Sequence, residues 1–287
     1  MADELLRRGH DVTVFSLMPG RGAKLMPCPV VTDVPDQPFD LILVNHNTCL
    51  GMVQHLPVVK IFTSHGPFHP VEQFKLGADA YVAVSEEVWA CGIMHGFRPT
   101  IIRNPIDRGL FEAKLVIERP GDALILLKNR DACYIAEEAC RMAGMSRIRI
   151  GHEQIDPIDN MATEMPFYKV VLGGGRGILE ALACGCQAFC LNSLNMPTGL
   201  KIIADGWVTP ETIMDYRMFN CSSRCTQTEV DATSLAEILK DRQAVHHQAW
   251  GMNYVAHNND VGKAVDAYLG LAERTKIRRP EKEAVAA

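Results

Sequence analysis

The sequence predicts an α/β protein built as two parallel-sheet halves in succession, and three observations lead there. Short apolar runs without alternation recur along the chain, as strands buried on both faces require. Segments of helical length, opened by capping residues, separate them. Core residues then thin out over 107–121, which reads as a linker, and beyond it the strand–helix alternation begins again.

Each element follows in order. The opening ADELLRR reads as the end of a helix stopped at Gly9, and 12–17 as a strand. A parallel-sheet domain ordinarily leads with a strand and tight turn that feed its first helix. On this reading that strand lies upstream of Met1 or is absent, so the N-terminal domain is expected to be truncated. FDLILVN (39–45), VVKIFTS (58–64), DAYVAVS (79–85) and TIIRN (100–104) supply further strands, and SEEVWACGIMHG suits a helix with Ser85 as its N-cap.

The second half opens with a strand at 123–128, and Asp131 is expected to cap the helix ACYIAEEACRMAG, which stops at Gly144. RIRIG is a strand, 151–164 is polar, and YKVVLGGGRGILEALACG (168–185) is a strand, a glycine cluster and a helix. QAFCLN (187–192) is the last strand expected. From Thr209 the pattern turns helical, with Leu235, Ile238 and Leu239, then Val261, Val265, Tyr268 and Leu269, at helical spacing. The tail RTKIRRPEKEAVAA is charged and expected to fray. The domains are therefore drawn at 1–112 and 113–250. A C-terminal helix and tail at 251–287 either packs on the second domain or crosses back to brace the first.

Composition narrows the function classes. Hydrophobic residues at 47% and charged residues at 22% are ordinary for a globular chain with a sizeable core. A net charge of −5 argues against a broad nucleic-acid-binding face. The ten cysteines are scattered without a C-x-x-C pair, which argues against a zinc knuckle and for reduced, mostly buried thiols. The longest apolar runs are strand-sized, so no transmembrane segment is expected, and with no leader peptide recognised the chain reads as cytoplasmic.

Gly173, Gly174, Gly175 and Arg176, squeezed between a strand and a helix, point to an anion. A helix N-terminus offers N–H groups without intrahelical partners and the positive end of the dipole. The dinucleotide fingerprint G-x-G-x-x-G does not fit: counting from Gly173 puts Ile178 at its last glycine, and counting from Gly175 puts Glu180 there. Nor does a Walker lysine follow, since Ile178 and Leu179 come after Gly177.

The run RGILEALACG resembles the donor-site helix of the retaining GT-B glycosyltransferases, the glycogen synthase-like or glycosyl transferases group 1 family, which carry L-E-A-[LM]-A-x-G-x-P-V. ADELLRRGHDVTVFSL, SHGP, ADAYVAVSEEV and IIRNPIDRGLF are similar to further family segments, in the same order, from Ala2 to about Asn192. The resemblance implies two Rossmann-like domains facing a cleft, with C-terminal helices bracing them. It implies that Glu180 binds the ribose hydroxyls of a nucleotide sugar, while Gly173, Gly174 and Gly175 give backbone N–H groups to its sugar or phosphates. Lys128 and Arg130 would hold the diphosphate, with Arg176 as a further donor to it or a salt-bridge partner between domains. His65 would lie near the transferred sugar. Ser85 and Asn104 are candidate cleft residues on weaker grounds, while His46 and His69 read as ordinary structural histidines. The chain departs from the family at Leu172, where a glutamate is usual, at Gln187, where a proline is usual, and in lacking a lysine shortly after Arg130.

The expected activity is transfer of a sugar from a nucleoside-diphosphate sugar to an acceptor hydroxyl with retention, using no metal and no cofactor beyond the donor. A nucleotide-sugar-binding subunit without turnover is the alternative, with a sugar-nucleotide epimerase behind it. Glycan, lipid-linked sugar, small metabolite and modified nucleobase all stay open as acceptors.

Overall fold

The computed structural model describes residues 1–111, 118–197, 199–241 and 248–278. The chain divides into two compact units, one formed by Met1–Pro105 with the chain from Val261, the other by Ile106–Asp260. The sequence placed these divisions near 112 and 250. They fall instead at the residues where Ile106 and Asp260 form a parallel bridge and Ile106 N–H donates to Asn259 O at 2.7 Å.

The first unit opens with α1 (Ala2–Arg7), β1 (Val14–Phe15) and β2 (Val30–Val31). The strand expected over 12–17 is thus two residues long. It pairs in parallel with β2 in a small sheet of its own and does not join the main one. That main sheet holds β3 (Leu41–Val44), β4 (Val59–Ser64), β5 (Ala80–Ala83) and β6 (Thr100–Ile101), side by side in chain order and all parallel. Helices α2 (Asn47–Val53) and α3 (Glu86–Met94) join successive strands. β4 is buried at every position: its apolar Val59, Ile61 and Phe62 share it with buried Thr63 and Ser64 and with Lys60, whose Nζ donates to Leu56 O and Val58 O.

The second unit begins with α4 (Arg108–Phe111), so the expected linker carries structure: Phe111 and Arg119 are both buried, while 112–117 lie outside the described residues. Next come β7 (Gly121–Leu126), α5 (Arg130–Met142), β8 (Ile148–Ile150), α6 (Met161–Glu164), β9 (Tyr168–Gly173) and α7 (Arg176–Ala183). β10 (Gln187–Met196) runs beyond the expected strand and turns back as β11 (Gly199–Trp207), an antiparallel ribbon that sequence reading missed. Then follow α8 (Ile213–Met218), β12 (Thr228–Val230), α9 (Ala232–Lys240) and α10 (Gln248–Asn258). The sheet order is β12-β11-β10-β9-β7-β8, parallel among β8, β7, β9 and β10 and antiparallel at β11 and β12. Alternate residues divide its two faces. Ile125, Leu172 and Phe189 pack with α5 and α9, whereas Leu124, Val171 and Ala188 pack with α7 and Val255 of α10.

Helix α11 (Val261–Arg278) closes the chain and returns to the first unit. Its Ala264, Tyr268 and Ala272 share a core with Val59, Ile61 and Val82.

Candidate functional site

In the second unit the glycine cluster and the basic residues come together because their strands are neighbours. β7 and β9 run parallel with Leu126 opposite Gly173, so the loops that follow them emerge at the same C-terminal edge of the sheet. That edge is where open α/β sheets take their ligands. Two of the glycines have separate reasons to be there. A Cβ on Gly173 would stand 3.0 Å from Leu126 O and 3.2 Å from Leu126 Cβ, so a side chain there would push the paired strand aside by a few tenths of an ångström. Gly175 has φ +61°, a left-handed conformation that L side chains seldom adopt, and it is the N-cap of α7. Its N–H donates to Cys221 O at 2.8 Å, so Gly175 contributes its conformation to the turn and its amide to the chain. No side chain caps α7, and no acidic residue lies in its first turn. The positive end of the helix dipole is therefore not offset from within the helix.

Glu180 lies four residues on from Arg176 and on the same helical face, with Arg176 Nε 2.7 Å from Glu180 Oε1. The glutamate side chain is largely buried while the arginine is more than half exposed. Burial raises the Glu180 pKa above the ordinary glutamate value, and the Arg176 charge and hydrogen bond oppose that rise. Arg176, read as a phosphate donor or a bridge between domains, is thus a partner of Glu180 along one helix. The far end of α7 is closed by buried Arg119, whose Nη2 donates to Cys184 O at 2.7 Å and whose Nη1 reaches Pro166 O and Tyr168 O, each at 2.9 Å. A cation suits the negative end of a helix dipole. Leu172 is fully buried in the sheet core.

Lys128 and Arg130 are both exposed at the end of β7, and Arg130 Nε stands 3.8 Å from Asp131 Oδ1. Between them Asn129, and not the expected Asp131, caps α5: its Oδ1 accepts from Asp131 N at 2.9 Å and Ala132 N at 3.0 Å. The helix starts two residues earlier than the sequence suggested, and an asparagine just ahead of it is a signal that could have been read. Asn129 Nδ2 also donates to Asn195 Oδ1 on the β10–β11 ribbon at 3.2 Å. From the other side, His152 Nε2 bonds Lys128 O at 3.0 Å. Neither Asn195 nor His152 carries a sequence signal for these contacts.

The remaining candidates belong to the first unit. His65 follows β4, and its Nε2 lies 3.1 Å from Asn45 Oδ1, just past the neighbouring strand β3. The carboxamide oxygen accepts, which places the proton on Nε2 and orients the ring. Ser85 is fully buried and caps α3, its Oγ accepting from Val88 N at 3.4 Å. Its observed role is structural. Asn104 is buried as well, whereas His46 and His69 are exposed. All ten cysteines are free thiols, six of them buried, and among the described residues no three His, Cys, Asp or Glu side chains are grouped to hold a metal. Among the same residues no helix is long and apolar enough to cross a membrane.

No family model and no curated protein matches the chain. Among solved structures it is similar to a glycosyltransferase from Rickettsia africae ESF-5, at 11% identity and a TM-score of 0.56, over 97% of this chain and 93% of that one. Lower TM-scores relate it to TarM (0.47, 12% identity, 81% of this chain and 54% of that one). AviGT4, a glycosyltransferase involved in avilamycin A biosynthesis, scores 0.44 at 12% identity, over 95% of this chain and 86% of that one. The likeness to the Rickettsia structure is one of fold, and the fold is of the GT-B class.

Proposed function

We propose that the chain is a glycosyltransferase that takes a sugar from a nucleoside-diphosphate sugar and attaches it to an acceptor hydroxyl. The observation that carries this reading is the meeting of two anion-seeking features at one sheet edge. The exposed cations Lys128 and Arg130 follow β7, and the uncapped N-terminus of α7 follows β9, its immediate neighbour. A departing diphosphate gains negative charge as the glycosidic bond breaks, and fixed cations and helix N–H groups stabilise that charge most in the transition state. Glu180 is assigned to the ribose hydroxyls, for which an ionised carboxylate is an acceptor.

Retention of configuration rests on the family resemblance alone, as does the placing of His65 near the transferred sugar. So does independence from metal: in this reading the basic side chains and the helix N-terminus meet the diphosphate charge, with no cofactor besides the donor. A cytoplasmic setting belongs to the same reading. Bond breaking develops oxocarbenium character, as in glycoside hydrolysis, and the leaving phosphate itself is suited to receive the proton of the incoming hydroxyl. The acceptor class is not assigned. Buried Leu172 in place of a family glutamate favours a second reading, a subunit that binds nucleotide sugar without turning it over.

Incubation of the full chain with a panel of nucleotide sugars tests the choice. Slow release of nucleoside diphosphate, abolished in a Lys128→Ala/Arg130→Ala double variant, supports transfer. Binding without release supports the subunit, and an isomerised donor an epimerase. If no nucleotide sugar binds, the assignment is wrong.

A further inference from the structure

We infer that His152 is a positioning residue that holds the Lys128–Arg130 loop in the register needed to meet a diphosphate. The inference rests on the reading of that loop as the diphosphate site.

Both ring nitrogens of His152 are engaged, by different stretches of chain. Gln154 N–H donates to Nδ1 at 3.1 Å, which makes Nδ1 an acceptor and leaves the proton on Nε2. Nε2–H then donates to Lys128 O at 3.0 Å. The two bonds define a neutral imidazole of one tautomer and fix its ring plane. The first bond is local, spanning two residues in the turn after β8. The second reaches across 24 residues to the loop after β7. Strands β7 and β8 are already paired, with Ile125 opposite Ile150 and Gly151 N–H on Ile125 O at 2.9 Å, so the imidazole extends that pairing past the ends of the strands.

Lys128 is held at its backbone carbonyl by His152, while Asn129 is held through its side chain by Asn195, so the loop hangs between two neighbours. Long cationic side chains lose conformational entropy when they close on an anion, and a backbone fixed beforehand reduces how much must be ordered on binding. His152 is therefore assigned no contact with the ligand. Its effect on the anion passes through Lys128.

Two variants separate the bonds, because asparagine places an acceptor at the δ position and glutamine a donor at the ε position. His152→Asn keeps an acceptor for Gln154 N–H but cannot reach Lys128 O. His152→Gln restores a donor at that reach. The measurement is calorimetric titration of the full chain with inorganic pyrophosphate, alongside the 15N shifts of the His152 ring. Wild type should show protonated Nε2 and bare Nδ1. His152→Asn should bind pyrophosphate roughly tenfold more weakly, because more of the loop must be ordered on binding. Its thermal midpoint should fall only slightly, since the lost bond is exposed, and His152→Gln should recover most of the affinity. Equal affinity in wild type and His152→Asn, no recovery in His152→Gln, or the opposite tautomer in wild type would each overturn the inference while leaving the anion site standing. A wild type that does not bind pyrophosphate would remove the anion site itself, and the inference with it.

Discussion

Thr63 on β4 and Tyr268 on α11 share a buried hydrogen bond of 2.8 Å across 205 residues of chain. The same helix is tied to α1 by Arg8, whose Nη1 lies 2.5 Å from Asp266 Oδ1 and whose Nη2 donates to Gly262 O at 3.0 Å. The last helix is thus part of the first unit's core, fixed by side chains from the chain's beginning.

Tyr268→Phe leaves the Thr63 hydroxyl buried without its partner and is expected to lower stability by about 1 kcal/mol. A Thr63→Val/Tyr268→Phe double variant should lose less than the sum of the two single changes, read by denaturant midpoints in a double-mutant cycle. Burial pushes the Tyr268 phenol up to about 12, with its bond to Thr63 opposing. Its folded pKa lies above the unfolded value of about 10. This contribution is therefore complete below about pH 10 and is lost as pH rises toward 12.

Glu180→Ala is expected to weaken nucleotide-sugar binding by about 1–3 kcal/mol, the range for hydrogen bonds to a charged group. Unchanged affinity in a folded variant would take the ribose away from Glu180. Because burial raises its pKa despite Arg176, the carboxylate takes up its proton earlier on acidification than an exposed glutamate. Donor affinity should accordingly begin to fall at a higher pH than the ordinary glutamate range, a limb that Glu180→Gln removes.

Asp122 gives an acid-stability test. Its Oδ2 accepts from Ser146 N and Arg147 N, both at 3.0 Å, and Lys169 Nζ lies 2.9 Å from Oδ1. Partial burial works against the charged form, but the Arg147 and Ser146 backbone N–H groups and Lys169 outweigh it and hold the carboxyl well below the usual range. The folded pKa is below the unfolded one, so the stabilisation is present above about pH 4 and is lost as pH falls further. Asp122→Asn should therefore be less stable than wild type at neutral pH, with the gap closing in acid, as measured by thermal midpoints against pH.

Arg119→Met removes the donors to the half-buried carbonyls of Pro166 and Tyr168 and to the buried carbonyl of Cys184. With the buried Cys184 carbonyl left unsatisfied, a loss of about 1–3 kcal/mol is expected. A denaturation midpoint within experimental error of wild type would refute the structural role.

Thiol titration checks the core directly. Cys28, Cys49, Cys91 and Cys225 are half-exposed and should react with a thiol reagent in the folded protein, while the other six should react only after denaturation. Burial raises the Cys28, Cys91 and Cys225 pKa values, so even these are expected to react more slowly than a free thiol.

The sequence by itself determined the elements whose cause is local. Runs rich in apolar residues at β4, β7 and β9 announce strands covered on both faces, Ser85 announces the start of α3, and the glycine cluster ahead of α7 announces a tight turn at a helix N-terminus. Only the tertiary structure decided what lies beside what. The β10–β11 ribbon was missed because its first strand reads as the end of a parallel one, and nothing local says that the chain then turns back on itself. The pairings of Asn45 with His65, Asn195 with Asn129, and His152 with Lys128 join residues between 20 and 66 positions apart. Polar contacts of that kind leave no periodicity in the chain. They exist because parallel strands bring their C-terminal loops to one edge, and that placement comes from packing of the whole sheet.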